Sequence, residues 1–321
     1  MISMISSVFM TSYLVGQTVD SQTKTTLTIE VTNRTANGTA TENDEVLVTI
    51  YQQGKQIDTL KGNVDSQGKA VFENVPTGSD CAALPNVKHR DMMFNGHPIA
   101  LIPGQTEFNG HVEVFEVSTD KSKLSVITHH FIIKLQADSL GIIEYMRLEN
   151  SSDMAIISGQ KDENNRNKVI EVILPKGFKD LIFLRYFQEN ASVISKSGFY
   201  DTMAIPPGQF DAEFSYSLPI DSETIDITKT ISLPTSDFML FSLLGKGRVK
   251  GLGDSKGQIN LADGSSAEYF NLPAIKTGQQ IKFQLIGLNV NKSNRQILIV
   301  LIAIFALMAL LVIRRLISQK S

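Results

Sequence analysis

GNVDSQGKAVFENVPTGSD, residues Gly62 to Asp80, sets two turns around one short strand. The Asp65-x-x-Gly68 turn puts a carboxylate where it can accept from turn N–H groups, and a glycine where the chain needs positive φ. Val71 and Phe72 belong to the strand that follows, with Phe72 facing the core, and Pro76-x-Gly78 closes the segment. Asp65 and Asp80 are too few hard ligands for calcium. The stretch therefore reads as fold-making and not as a ligand loop. Its surroundings agree. TLTIEV (Thr26 to Val31) and EVLVTIY (Glu45 to Tyr51) alternate polar and apolar residues, with Val46, Val48 and Ile50 on one face. Similar runs continue to QIKFQLIGL, broken by Asn-Gly at 37–38 and 95–96, Pro-Pro-Gly at 206–208 and Asp-Gly at 263–264. Helical periodicity is nearly absent between the ends. The pattern predicts an all-β chain with two tandem β-sandwich domains.

The 321 residues are 42% hydrophobic and 20% charged, enough for two domains with real cores. Net charge is −3 and the pI about 6.0, and no basic stripe with interleaved aromatics occurs, which argues against nucleic-acid binding. The single cysteine, Cys81, rules out an intrachain disulfide and a thiolate zinc site; beside Ala82 and Ala83 it reads as a small buried hydrophobe.

The ends differ from the middle. Ile297–Ile313 is seventeen consecutive apolar residues without Gly, Pro or charge. At about 1.5 Å per residue it covers most of a roughly 30 Å hydrocarbon core. Arg314, Arg315 and Lys320 follow it, so the short tail is expected in the cytoplasm and the bulk on the periplasmic or extracellular side. The opposite, tail-anchored topology would push those cations across the membrane. Met1 to Gly16 is uncharged and moderately apolar, like the apolar stretch of a signal peptide without its basic start. An atypical signal and a start placed downstream of the true one both fit it. The expected organisation is a signal-like segment over 1–23, a first sandwich over 24–117, a polar junction at Ser118 to Lys123, a second sandwich over 122–288, a transmembrane helix over 296–317 and a tail over 318–321.

The strand EVLVTIYQQGKQI followed by Asp65, Gly68, Phe72, Pro76 and Gly78 resembles the carboxypeptidase regulatory-like, or transthyretin-like, domain. The stretch PGQTEFNGHVEVFEVSTDKSKLSVITHHFIIKLQADSLGIIEYMRLENSSD, with VILPKGF, IPPGQFDAEFSYSLPI and AEYFNLPAIKTGQQIKFQLIGL, is similar to bacterial membrane-anchored proteins carrying that domain. Ser79-Asp80-Cys81 stands where the family has a Tyr-containing strand. The resemblance implies an exported, single-span protein with a non-catalytic β-domain, and a setting near cytochrome c maturation.

Five histidines are present: His89, His97, His111, His129 and His130. His129 and His130 are adjacent on a strand, point to opposite faces and cannot easily chelate one metal together. The plain reading is one packed with a satisfied ring nitrogen and one exposed. The alternative is a metal site that joins one of them to His111. TENDEV (Thr41 to Val46) lacks calcium-loop spacing, and GKGRVKGLGDSKG (Gly245 to Gly257) is no phosphate loop. No nucleophile elbow, zincin motif or cofactor fingerprint occurs. Asn33, Asn37, Asn150, Asn190 and Asn291 head glycosylation sequons, which are incidental in a bacterial chain. Three functions are weighed. The favoured one is non-enzymatic binding or assembly with an envelope protein, through exposed edge strands. A carbohydrate or small-molecule module is the second, without any Trp for sugar stacking. A hydrolase is the third, with no supporting constellation.

Overall fold

A computed structural model describes residues 25–260 and 264–288. The proposed span Ile297–Ile313 and the signal-like Met1 to Gly16 both lie outside the described residues. Within them there is no α-helix, only a 3-10 turn at Lys121–Lys123, and so no helix long and apolar enough to cross a membrane. The chain is all-β with several sheets.

It divides into two compact units. One is the chain up to Thr32 with Ala40–Val114; the other is Asn33–Thr39 with the chain from Phe115.

In the first unit, β1 (Thr26–Asn33) lies between β4 (Lys69–Glu73) and β8 (Glu107–Val114). The second sheet runs β3 (Lys55–Asn63), β2 (Glu45–Gln52), β5 (Cys81–His89), β6 (Met92–Asn95), with β7 (Ile99–Ala100) also on β5. Alternation sends Leu27, Ile29 and Val31 inward from β1, and Val46, Val48 and Ile50 inward from β2. The Asp65 turn is built as the sequence predicts. Asp65 Oδ1 accepts from the N–H groups of Gln67 (2.8 Å) and Lys69 (2.9 Å). Gly68 has φ 79°. Phe72 is buried, and its ring lies so close to Gly62 that a Cβ there would stand 3.0 Å from it. Cys81 is buried and opens β5, which pairs along the whole of β2.

The second unit is built on a seven-stranded sheet. Its order is β14 (Lys179–Arg185), β17 (Gly208–Pro219), β11 (Ser139–Asn150), β10 (Leu124–Leu135), β19 (Thr235–Leu243), β22 (Ser266–Ile275), β21 (Gly257–Asn260). β10 and β19 run parallel, whereas the other neighbours are antiparallel. Two three-stranded sheets pack into the same core, in a sandwich-like arrangement. They are β18 (Thr224–Thr230), β23 (Gln280–Ile286), β20 (Arg248–Lys250) and β13 (Ile170–Ile173), β16 (Gly198–Asp201), β15 (Ser192–Ser195). A short parallel pair, β9 (Val117–Ser118) and β12 (Ala155–Ile156), completes the unit. Aromatic rings join the layers: Phe131 meets Phe283 edge-on at 6.2 Å, and Phe199 meets Phe214 at 5.1 Å.

Glu116 explains why Asn33–Thr39 belongs to this unit. Its Oε1 accepts from the Thr39 N–H (2.8 Å), the Thr39 hydroxyl (2.6 Å) and Asn33 Nδ2 (3.1 Å). Its own N–H donates to the Thr35 hydroxyl at 2.9 Å. The expected strand HVEVFEVS accordingly splits around Phe115 and Glu116. The Asn-rich stretch 158–168 is a loop closed on Asp162, whose carboxylate accepts from Asn164 and Arg166 N–H groups and from the Tyr200 hydroxyl.

Candidate functional site

Four buried polar side chains meet in the second unit. Glu144 stands on β11 among inward-facing Ile142, Met146 and Leu148. Directly across from it lie Phe131 on β10 and Phe214 on β17. His129 and Tyr216 reach it diagonally from those two strands, and Lys229 reaches it from β18 in the facing sheet.

A β-bulge selects His129. Leu124 and Val126 face inward, and strict alternation would send Thr128 and His130 the same way. The register of β10 shifts between Val126 and Thr128, so the phase changes and His129 turns to the core.

Glu144 Oε2 accepts from His129 Nε2 at 2.8 Å and lies 2.7 Å from Lys229 Nζ. Oε1 accepts from the Tyr216 hydroxyl at 2.7 Å and from Lys229 Nζ at 2.8 Å. Lys229 gives a further hydrogen bond to the Ile173 carbonyl at 3.1 Å. A carboxylate only accepts, so the His129 nitrogen facing it carries the hydrogen. Burial by itself would raise the Glu144 pKa, but the Lys229 charge and the hydrogen bonds from His129 and Lys229 outweigh it and hold it at about 2. Burial lowers the His129 pKa against the pull of Glu144, leaving a neutral ring. The Tyr216 phenol is pushed well up by burial and by Glu144.

This is an ionised carboxylate with matched donors, closed to solvent: Glu144 is 0% exposed, Lys229 2%, His129 3% and Tyr216 3%. The adjoining cavity, lined by His129, Lys229 and apolar side chains such as Val126, Met146 and Ile170, measures about 20 Å³. That is room for about one water and for no substrate. The cluster joins the two facing sheets, through Lys229 on β18 and Glu144, His129 and Tyr216 on the seven-stranded sheet.

The other histidines lie elsewhere. His130 is on the opposite face of the sheet and is half-buried where exposure was expected. Its ring packs edge-on against Phe241 (5.2 Å) and tilted against Tyr145 (5.4 Å). Burial, with His129 and Arg147 adding, lowers its pKa to about 4. On that face Asp211 accepts from the Tyr145 hydroxyl at 2.7 Å and from Arg147 Nε at 3.0 Å. His111 is exposed on β8 of the first unit, 4.0 Å from Glu113. Among the described residues no group of three or more His, Cys, Asp or Glu side chains is placed to hold a metal ion.

The sheet edges form the second candidate surface. Seven large apolar side chains are exposed among the described residues: Ile57, Val71, Met93, Ile102, Ile182, Ile194 and Ile259. All but Ile102 stand on edge strands, namely β3, β4, β6, β14, β15 and β21. Charged residues guard β3, β4 and β14, and β14 also carries register shifts. β6 (MMFN), β15 (SVIS) and β21 (GQIN) have neither charge nor proline, and of their exposed apolar side chains Ile194 on β15 is the most exposed, at 58%.

Sequence reasoning singled out His129 and missed Glu144, Lys229 and Tyr216. A signal existed for the two charges, since each occupies the apolar phase of its strand. No family model matches the chain, and no curated protein matches it.

Proposed function

We propose that this chain is a non-enzymatic binding or assembly module of the cell envelope, anchored through Ile297–Ile313 with its bulk on the periplasmic or extracellular side. A protein partner pairs with an open sheet edge. The uncharged β15 edge with its exposed Ile194 carries this reading, because unpaired backbone groups beside an apolar side chain are what an added strand requires. The closed Glu144 cluster supports the non-enzymatic part. The Asp65, Gly68, Phe72, Pro76 and Gly78 pattern supports a carboxypeptidase regulatory-like first domain. Carbohydrate binding has weaker support: the chain has no Trp, and the cavity beside Lys229 holds about one water.

The test is site-specific photo-cross-linking in native membranes, with the probe at Ile194, at Ile259 or at the exposed, loop-borne Lys176. One envelope protein captured from Ile194 or Ile259 and not from Lys176 is the expected result. Absence of a specific product at both edges, with the protein folded and abundant, refutes strand pairing there. Protease added to spheroplasts should remove both units; their protection would reverse the orientation.

A further inference from the structure

Among the described residues, three buried side-chain oxygens have no hydrogen-bond partner in the protein: the Tyr186 hydroxyl, the Ser192 hydroxyl and Asp201 Oδ2. They belong to one neighbourhood. Ser192 and Asp201 are direct cross-strand partners on β15 and β16, so their side chains leave the sheet on the same face. Tyr186 follows β14, and two residues further on the same segment meets β15, where the Gln188 carbonyl accepts from the Ser192 N–H at 2.8 Å; burial and the charge of Asp201 hold the phenol's pKa up.

Asp201 is 0% exposed. Its Oδ1 accepts from the Thr202 N–H at 2.9 Å and from the Met203 N–H at 3.5 Å, while Oδ2 receives nothing from the protein. Tyr186 reaches the site through an unusual backbone, with φ 63°. A bulky residue rarely adopts that conformation unless its surroundings enforce it. Here the ring is wedged against Phe187 (5.4 Å) and Phe210 (5.7 Å). The fold holds this tyrosine in a strained conformation with its hydroxyl buried and without a partner in the protein.

Buried polar atoms are nearly always satisfied, and internal water is the usual agent where protein groups fall short of one another. The three oxygens suit water. A phenol donates, a carboxylate oxygen accepts, a serine hydroxyl does either, and one water answers all three. They do not suit calcium, which takes roughly six to eight oxygens and more than one carboxylate in its usual sites.

We propose that Tyr186, Ser192 and Asp201 enclose one internal water that bridges all three oxygens and fastens the β15–β16 hairpin to the chain leaving β14. This site is independent of the partner reading above.

A crystal structure of the full chain, at a resolution that shows ordered water, tests it directly. One solvent peak about 2.6–3.2 Å from all three oxygens is expected. A direct bond from Asp201 to Tyr186 or Ser192 that fills the site overturns the proposal. So does a peak with six or more oxygen contacts near 2.4 Å, which would be a cation. In solution, Tyr186→Phe and Ser192→Ala are compared singly and together by denaturant unfolding. A shared water makes the double variant's unfolding constant differ at least about twofold from the product of the single effects. Multiplicative behaviour counts against the bridge, and neither substitution touches the buried carboxylate.

Discussion

The second unit buries two carboxylates completely and treats them in opposite ways. Glu144 receives donors on both oxygens, one of them a cation, and its pKa falls to about 2. Asp201 is held by two backbone N–H groups on one oxygen, and burial lifts its pKa to about 6. Both are 0% exposed, so depth does not decide the direction of the shift. The number and charge of the donors do.

The largest way to break this contrast is Lys229→Met. It leaves Glu144 buried without its cation and should cost the second unit about 3–5 kcal/mol in denaturant unfolding. Glu144→Leu combined with Lys229→Met should recover most of that loss, because an apolar pair needs no desolvation. A double variant as unstable as the single one would show that the ion pair is needed for more than charge balance.

Titration separates the two acids by sign. The folded pKa of Glu144 is depressed, so its contribution is present above the ordinary carboxylate value of 4.5 and lost as pH falls toward about 2. The folded pKa of Asp201 is raised, so its contribution is present below the ordinary value of 3.8 and lost as pH rises through about 6. Asp201→Asn should therefore stabilise the protein at pH 7 by about 2–3 kcal/mol and have little effect near pH 3.5. Unfolding curves for the wild type and variant across that range check it, and a pH-independent difference would contradict the assignment.

The two tyrosines give a matched pair of smaller effects. Tyr216→Phe removes a hydrogen bond to a charged acceptor and should cost about 1.5–3 kcal/mol. Tyr186→Phe removes a hydroxyl with no protein partner and should cost about 1 kcal/mol or less. Equal losses would mean that the two sites are satisfied alike.

The legible parts of this fold are local. The Asp65–Gly68 turn, the inward Phe72 and the alternating strands follow from residues within a few positions of one another. The Glu144 cluster is less legible for a stated reason. A charge at an apolar phase marks Glu144 and Lys229 as unusual, but they are 85 residues apart and only the facing of two sheets brings them together. The choice of His129 over His130 depends on one bulge, which no residue in SVITHHF announces. The placement of Asn33–Thr39 depends on Glu116, a contact made 77 residues beyond Thr39. In each case the deciding partner is distant in sequence.

The parallel pairing of β10 with β19 bears on how the molecule is made. Val126 and Thr235 are register partners, so everything between them must be synthesised before the middle of the large sheet can close. Until then β10 has a neighbour on one side only, and a row of backbone groups stays open along Phe131, Ile132 and Ile133. Sheets joined by such long-range contacts form slowly, and their waiting edges invite wrong partners. In a chain of this topology β10 emerges more than a hundred residues before its mate β19, so its open edge is available to wrong partners throughout that interval.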